Sequence, residues 1–262
     1  MVAHLAGLRV IRLAMMIFPV LIITGGQPAA AAINIHPVHV GVGLFYSGTV
    51  IRVEGELPPG YEAALVFQGR DETLELKKKG KVGGILWMNV GDLVFENVPS
   101  VYMLSTSCKL ADLCQQPDLE KCGVGYPALE ARAVLLPAGE KKSTFFPELI
   151  KLKEADKLFS FREGGIHLEP DKDGARHLTG ECFVPARMPP GEYEARLYGF
   201  RGGHGQMLQS RRFDLQMVGA TKFISFLAIN HGLIYGVLAV FIALVIGLLT
   251  GMVFGLGSRR GH

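Results

Sequence analysis

The sequence predicts a mainly β exported protein. Its core is built from immunoglobulin-like antiparallel sandwich units with a helical insert, followed by one C-terminal transmembrane helix. Three observations lead there. Apolar and polar residues alternate with period two over short runs separated by proline and glycine turns. Hydrophobic residues make up 49% of the 262-residue chain and only 19% are charged, with the apolar excess at the two ends. Residues 233–256 contain no charged side chain at all.

Residues 1–32 have the three parts of a secretory signal peptide: Arg9 and Arg12, an apolar stretch over 13–24, and small residues over 27–32. Cleavage after Ala31 or Ala32 fits, and the chain beyond that point is expected across the membrane. Residues 33–107 form the first β-sandwich unit. Ile51, Val53 and Leu57 face one way there, while Arg52, Glu54 and Glu56 face the other. Further strands are expected at 63–68, 73–78, 84–90, 93–96 and 101–106. The turns between them are Pro58-Pro59-Gly60, Gly69-Arg70-Asp71, Lys79-Gly80 and Asn97-Val98-Pro99.

Residues 108–160 are a cysteine-bearing loop and a helix. Phe145, Leu149, Leu152 and Phe159 supply the helical stripe, Ser143 or Thr144 the cap, and Pro147 is placed in the first turn. Strands return over 161–218, where Tyr193, Ala195 and Leu197, then Phe213, Leu215 and Met217, alternate with polar residues. Leu57-Pro-Pro-Gly-Tyr-Glu-Ala63 is echoed by Met188-Pro-Pro-Gly-Glu-Tyr-Glu-Ala195. The echo fits two related β units or one composite sandwich.

Residues 219–232, with Phe223, Ile224, Phe226, Leu227 and Ile229, are expected as an interfacial helix. The 24 residues of 233–256 would span about 36 Å, enough to cross a bilayer. Arg259 and Arg260 put the tail, 257–262, on the cytoplasmic side. The expected location is therefore the bacterial inner membrane, single-pass, with the bulk of the chain in the periplasm. Gly247, Gly251 and Gly255 mark one face of the span for close packing on a polytopic partner or a second copy.

The net charge of +3 arises from the terminal arginines, so the exported middle is near neutral and nucleic acid is not an expected partner. Cys108, Cys114, Cys122 and Cys182 are disulfide candidates in an oxidising compartment. The first three crowd one loop, where a local bridge fits; a second bridge from Cys182 to that loop and one bridge with two free thiols both stay open. His36 and His39, three apart on extended chain, send their rings to opposite faces, so no metal site is expected. The sequence holds no nucleophile elbow, phosphate loop or dinucleotide fingerprint, and neither enzyme activity nor a cofactor is expected. Lys77 to Lys81 form a basic hairpin tip, a solvated turn or a contact for anionic lipid headgroups. Trp87, the single tryptophan, is either a sandwich core residue or an exposed interaction anchor. The function expected is a membrane-anchored interaction or accessory protein. The alternative is a metal- or thiol-handling protein built on the cysteines.

The run Leu76-Lys-Lys-Lys-Gly-Lys-Val-Gly-Gly-Ile-Leu-Trp-Met-Asn89, then Val94-Phe-Glu-Asn-Val-Pro-Ser-Val-Tyr102, and the ending over 223–251 resemble an uncharacterised family of alphaproteobacterial transmembrane proteins. The resemblance covers nearly the whole mature chain, though the loop from Cys108 to Cys122 departs from it. It implies a signal peptide, a β-rich exported region and one C-terminal span. It also implies an accessory role beside an anion permease of the sulfite-exporter type.

Overall fold

A computed structural model describes residues 32–170 and 174–257. The expected signal peptide, with Arg9, Arg12 and the expected cleavage site, and Arg259 and Arg260 of the tail lie outside the described residues. The strands are β1 (Ala32–His36), β2 (His39–Val42), β3 (Gly48–Leu57), β4 (Glu62–Gln68), β5 (Asp71–Val82), β6 (Leu86–Pro99), β7 (Tyr102–Thr106), β8 (Val134–Leu136), β9 (Phe159–Arg162), β10 (Ile166–Pro170), β11 (Arg176–Pro185), β12 (Gly191–Arg201) and β13 (His204–Met217). Between β7 and β9 lie the helices α1 (Leu110–Leu113), α2 (Gln116–Cys122), α3 (Tyr126–Arg132) and α4 (Lys142–Ala155). Helices α5 (Ala220–Asn230) and α6 (Gly232–Gly257) come after β13.

Alternation places the first core as expected. A four-stranded sheet, β1-β3-β11-β10, packs on a six-stranded one, β2-β13-β12-β4-β7-β9. Ile51, Val53 and Leu57 turn inward to meet Leu65, Phe67, Leu197, Phe213 and Leu215 from the facing sheet. Both sheets mix strands from 33–107 and 161–218, so of the two arrangements left open the chain adopts the composite sandwich.

The Pro-Pro-Gly echo has a geometric counterpart. Aligning Leu57 with Met188 equates Ile51 with Cys182, and aligning Ala63 with Ala195 equates Leu65 with Leu197. Ile51 and Cys182 are register partners in one sheet, and Leu65 and Leu197 in the other. An approximate two-fold axis through these two pairs relates β3–turn–β4 to β11–turn–β12. The edges obey it as well: β2 runs parallel to β13 on one side, and β9 parallel to β7 on the other.

A second core forms on the outer face of the six-stranded sheet. Ala64, Val66, Tyr102, Leu104, Tyr198 and Phe200 are covered there by the helical insert and by Leu93 and Phe95 of β6. Helix α4 buries Phe146, Leu149, Ile150 and Lys153, spaced i, i+3, i+4 and i+7. The expected stripe is therefore corrected: Leu152 is exposed and Phe159 opens β9. A lysine at the fourth place hid the true face. The helix also starts at Lys142 with no side-chain cap, so Ser143 and Thr144 fall in its first turn and Pro147 is its sixth residue, not a first-turn one.

The strands expected separately at 84–90 and 93–96 are one long strand, β6. It pairs with β5 as a hairpin that β8 extends at its base. The hairpin turns at Gly83 and Gly84, both at positive φ, rather than at Lys79-Gly80.

Candidate interaction site

One end of the sandwich gathers three features. Strand β13 runs to Met217 and hands over through Val218 and Gly219 to α5. Register places the start of β12 and the ends of β4 and β13 together, since Gly191 faces Leu215, Glu194 faces Gln68 and Gln68 faces Tyr102. From Gln68 the chain leaves into the β5–β6 hairpin and returns at Val101. The hairpin root and the C-terminal helices therefore depart from the same end.

The root is pinned by backbone hydrogen bonds. The Gly69 amide donates to the Val101 carbonyl at 2.9 Å, and the Ser100 amide to the Arg70 carbonyl at 2.8 Å. Gly69 is required by this close approach, because a Cβ there would collide with the Ser100 hydroxyl.

Beside the root lies an ionic groove. The outward residues Glu192, Glu194 and Arg196 of β12 and Arg212 of β13 line it with Arg70, Asp71 and Arg132, enclosing about 350 Å³. Four guanidiniums face three carboxylates. Arg132 reaches Asp71 at 3.0 Å, Arg196 reaches Glu194 at 2.6 Å and Arg70 reaches Glu192 at 3.4 Å. Burial raises the Glu194 carboxyl, but bonds from Arg196 and Ser210 and the Arg212 charge outweigh it and hold the carboxyl below its usual range. The groove continues along β13 past His39, whose Nδ1 contacts the Asp214 carboxylate. The other Asp214 oxygen is buried without a hydrogen-bond partner. Three of the four guanidiniums are matched by the Asp71, Glu192 and Glu194 carboxylates, and Arg212 supplies the surplus positive charge. Opposite charges at the outward positions of two neighbouring strands were the sequence signal for this groove, and the sequence reading missed it.

Trp87 lies outside the core. It is 64% exposed near the hairpin tip, with Lys81 Nζ 5.4 Å from its ring centroid. Ile85, Leu86 and Met88 are exposed around it.

All four cysteines are free among the described residues. Cys182 sits in the first core, its thiol donating to Met103 Sδ at 3.2 Å, and burial pushes it up to about 12. Cys108, Cys114 and Cys122 belong to the second core, and burial pushes each of them up as well. Of the pairings left open, the tie between Cys182 and the loop is not made, because the six-stranded sheet stands between the two cores. His36 and His39 fall in different sheets, and no group of His, Cys, Asp or Glu that could hold a metal occurs among the described residues.

Helix α6 has a mean hydropathy of 2.7 over Gly232–Met252 with none of that window buried, and it is the one helix among the described residues long and apolar enough to cross a membrane. Gly247, Gly251 and Gly255 all lie on it. A model of the family described as "putative transmembrane protein (Alph_Pro_TM)" matches residues 31–255. The chain belongs to this family. The match takes in the sandwich, the hairpin, the insert and nearly all of α6, so the transmembrane family and its single apolar C-terminal helix agree on single-pass anchoring. No curated protein and no solved structure matches the chain at a significant level.

Proposed function

We propose that the protein is a non-enzymatic accessory module of the bacterial inner membrane. Its signal peptide exports the sandwich to the periplasm, and α6 docks on a polytopic partner, an anion permease of the sulfite-exporter type. The observation that carries this reading is the shared end: α5 and α6, the ionic groove and the hairpin root all leave the sandwich together. A body held on so short a connection presents that end to whatever lies beside its anchor. The guanidinium surplus in the groove suits a neighbour that handles anions. Cys114 is buried in the second core, which weighs against the metal- or thiol-handling alternative, since reactive thiols are accessible.

Purification of the tagged full chain in mild detergent is expected to bring down a polytopic protein, and Gly251→Leu is expected to lose it. Recovery as a lone monomer, unchanged by Gly251→Leu, would overturn the reading. The periplasmic address also favours a disulfide. Cys114 lies in the second core, Cys122 packs against that core, and Cys122 is near enough to raise the Cys114 thiol, so these two are the expected pair. Maleimide labelling of denatured protein should reach these two only after reduction, and Cys182 without it. Labelling of all four without reduction would remove the bridge.

A further inference from the structure

The β5–β6 hairpin reaches well beyond the part of it that β8 and the insert cover. Beyond the Lys78–Gly91 pair, four further register pairs at roughly 3.3 Å each and the turn carry the tip about 15 Å outward. The tip is apolar where a solvated hairpin would be polar: Ile85 in the turn is 89% exposed, and at the start of β6 Leu86 is 61%, Trp87 64% and Met88 48% exposed. The pleat of β6 sends Trp87 to one face, opposite Lys81, and Leu86 and Met88 to the other, opposite Val82 and Gly80, so both faces carry exposed apolar side chains. A groove on a protein would cover one face of such a ribbon, whereas a fluid lipid layer covers both. Lys79 and Lys81 stand on the paired strand, and Lys81 lies over the Trp87 ring, the arrangement of an indole at an apolar boundary with a cation in the headgroups. The hairpin root leaves the sandwich at the end where the membrane anchor begins. There α5 also exposes Phe223, Ile224 and Phe226.

We propose that the hairpin tip is a second membrane contact. Ile85, Leu86, Trp87 and Met88 enter the interface of the bilayer that α6 crosses, and Lys79 and Lys81 pair with anionic phospholipid headgroups. The sandwich is then fixed to the membrane at two points and cannot turn about its anchor. This contact needs no partner protein.

Trp87 is the only tryptophan, so its fluorescence reports the tip directly. The full chain is reconstituted in vesicles of phosphatidylglycerol and phosphatidylethanolamine, with bromine-labelled acyl chains as the lipid quencher and iodide as the aqueous one. The expected result is loss of most Trp87 emission to the brominated lipid and little to iodide. Lys79→Glu with Lys81→Glu, or Ile85→Ser with Leu86→Ser, should reverse that preference while circular dichroism stays unchanged. Vesicles of phosphatidylcholine alone should weaken lipid quenching, and equal quenching in both vesicles would overturn the headgroup pairing. Full access of iodide in the anionic vesicles would overturn the proposal. So would protection from both quenchers, which would mean that a second copy covers the tip. No permease is present in the vesicles, so the outcome is independent of the partner experiment above.

Discussion

Lys153 ties α4 to the root of the hairpin. It is 6% exposed, and its ammonium lies 2.5 Å from Glu72 Oε1 and 3.2 Å from the Ser100 carbonyl. Lys153→Ala removes a buried stem and leaves Glu72 without its cation, with an expected cost of about 2–4 kcal/mol. Lys153→Met keeps the stem, and Glu72 is exposed enough to hydrate, so it should cost clearly less. Denaturant unfolding of both variants checks the ranking, and equal losses would mean that the charge, not the packing, matters. Glu62 makes a different tie. It accepts from the Ser107 hydroxyl at 2.6 Å and from Arg176 at 2.8 Å, joining the ends of three strands. Burial raises its carboxyl, but those two donors outweigh it and hold the value below the usual 4.5. Because the folded value is depressed, this contribution is complete above about pH 4.5 and is lost as the pH falls through the folded value. Melting temperatures measured downward from pH 6 should fall less steeply for Glu62→Gln than for the parent, and parallel curves would assign the acid sensitivity elsewhere.

At the level of elements, α4 carries Pro147 at a position where it removes an intrahelical donor and its ring crowds the Ser143 carbonyl. The proline is exposed, so Pro147→Ala disturbs no packing and should stabilise by about 1–3 kcal/mol, read as a higher thermal midpoint. An unchanged midpoint would mean that the proline's restriction of the unfolded chain offsets the lost hydrogen bond. The same helix shows what a sequence can conceal. Its existence was legible from apolar spacing, but its face was not, because Lys153 holds an apolar position through a buried ion pair that no pattern reveals. The strands β3, β4 and β12 were legible because one face of each meets a core. The outer part of β6 was legible as a strand at 84–90, but its join to 93–96 and the exposure of Trp87 were not, since neither face there is covered by protein and alternation has no core to reflect. Helices α1 to α3, of four to seven residues, are too short to display a period. Opposite charges on β12 and β13 were visible in the sequence, but Arg70, Asp71 and Arg132 come from separate segments that only the fold brings beside them.

For the whole molecule, the consequence of the approximate two-fold is interlocking. The chain before the insert supplies β3, β4 and β7, the chain after it supplies β11, β12 and β9, and each of these pairs across the divide. The ten-residue register between β3 and β11 and the shared first core hold the halves together without the peptide that joins them. A protease site placed at Ala138-Gly139, in the exposed loop between β8 and α4, would sever one half from the other at a point where no sheet is cut. The expected result is that the amino-terminal fragment stays bound to a carboxy-terminally tagged fragment through native purification and separates only in denaturant. Two units merely tethered in sequence would behave otherwise, and the amino-terminal fragment would then leave the column as soon as the loop is cut. Strands of both halves line the ionic groove, and the hairpin belongs to the first half while the anchor belongs to the second. Retention of the nicked fragment would therefore mean that groove, hairpin and anchor keep their places through sheet pairing alone.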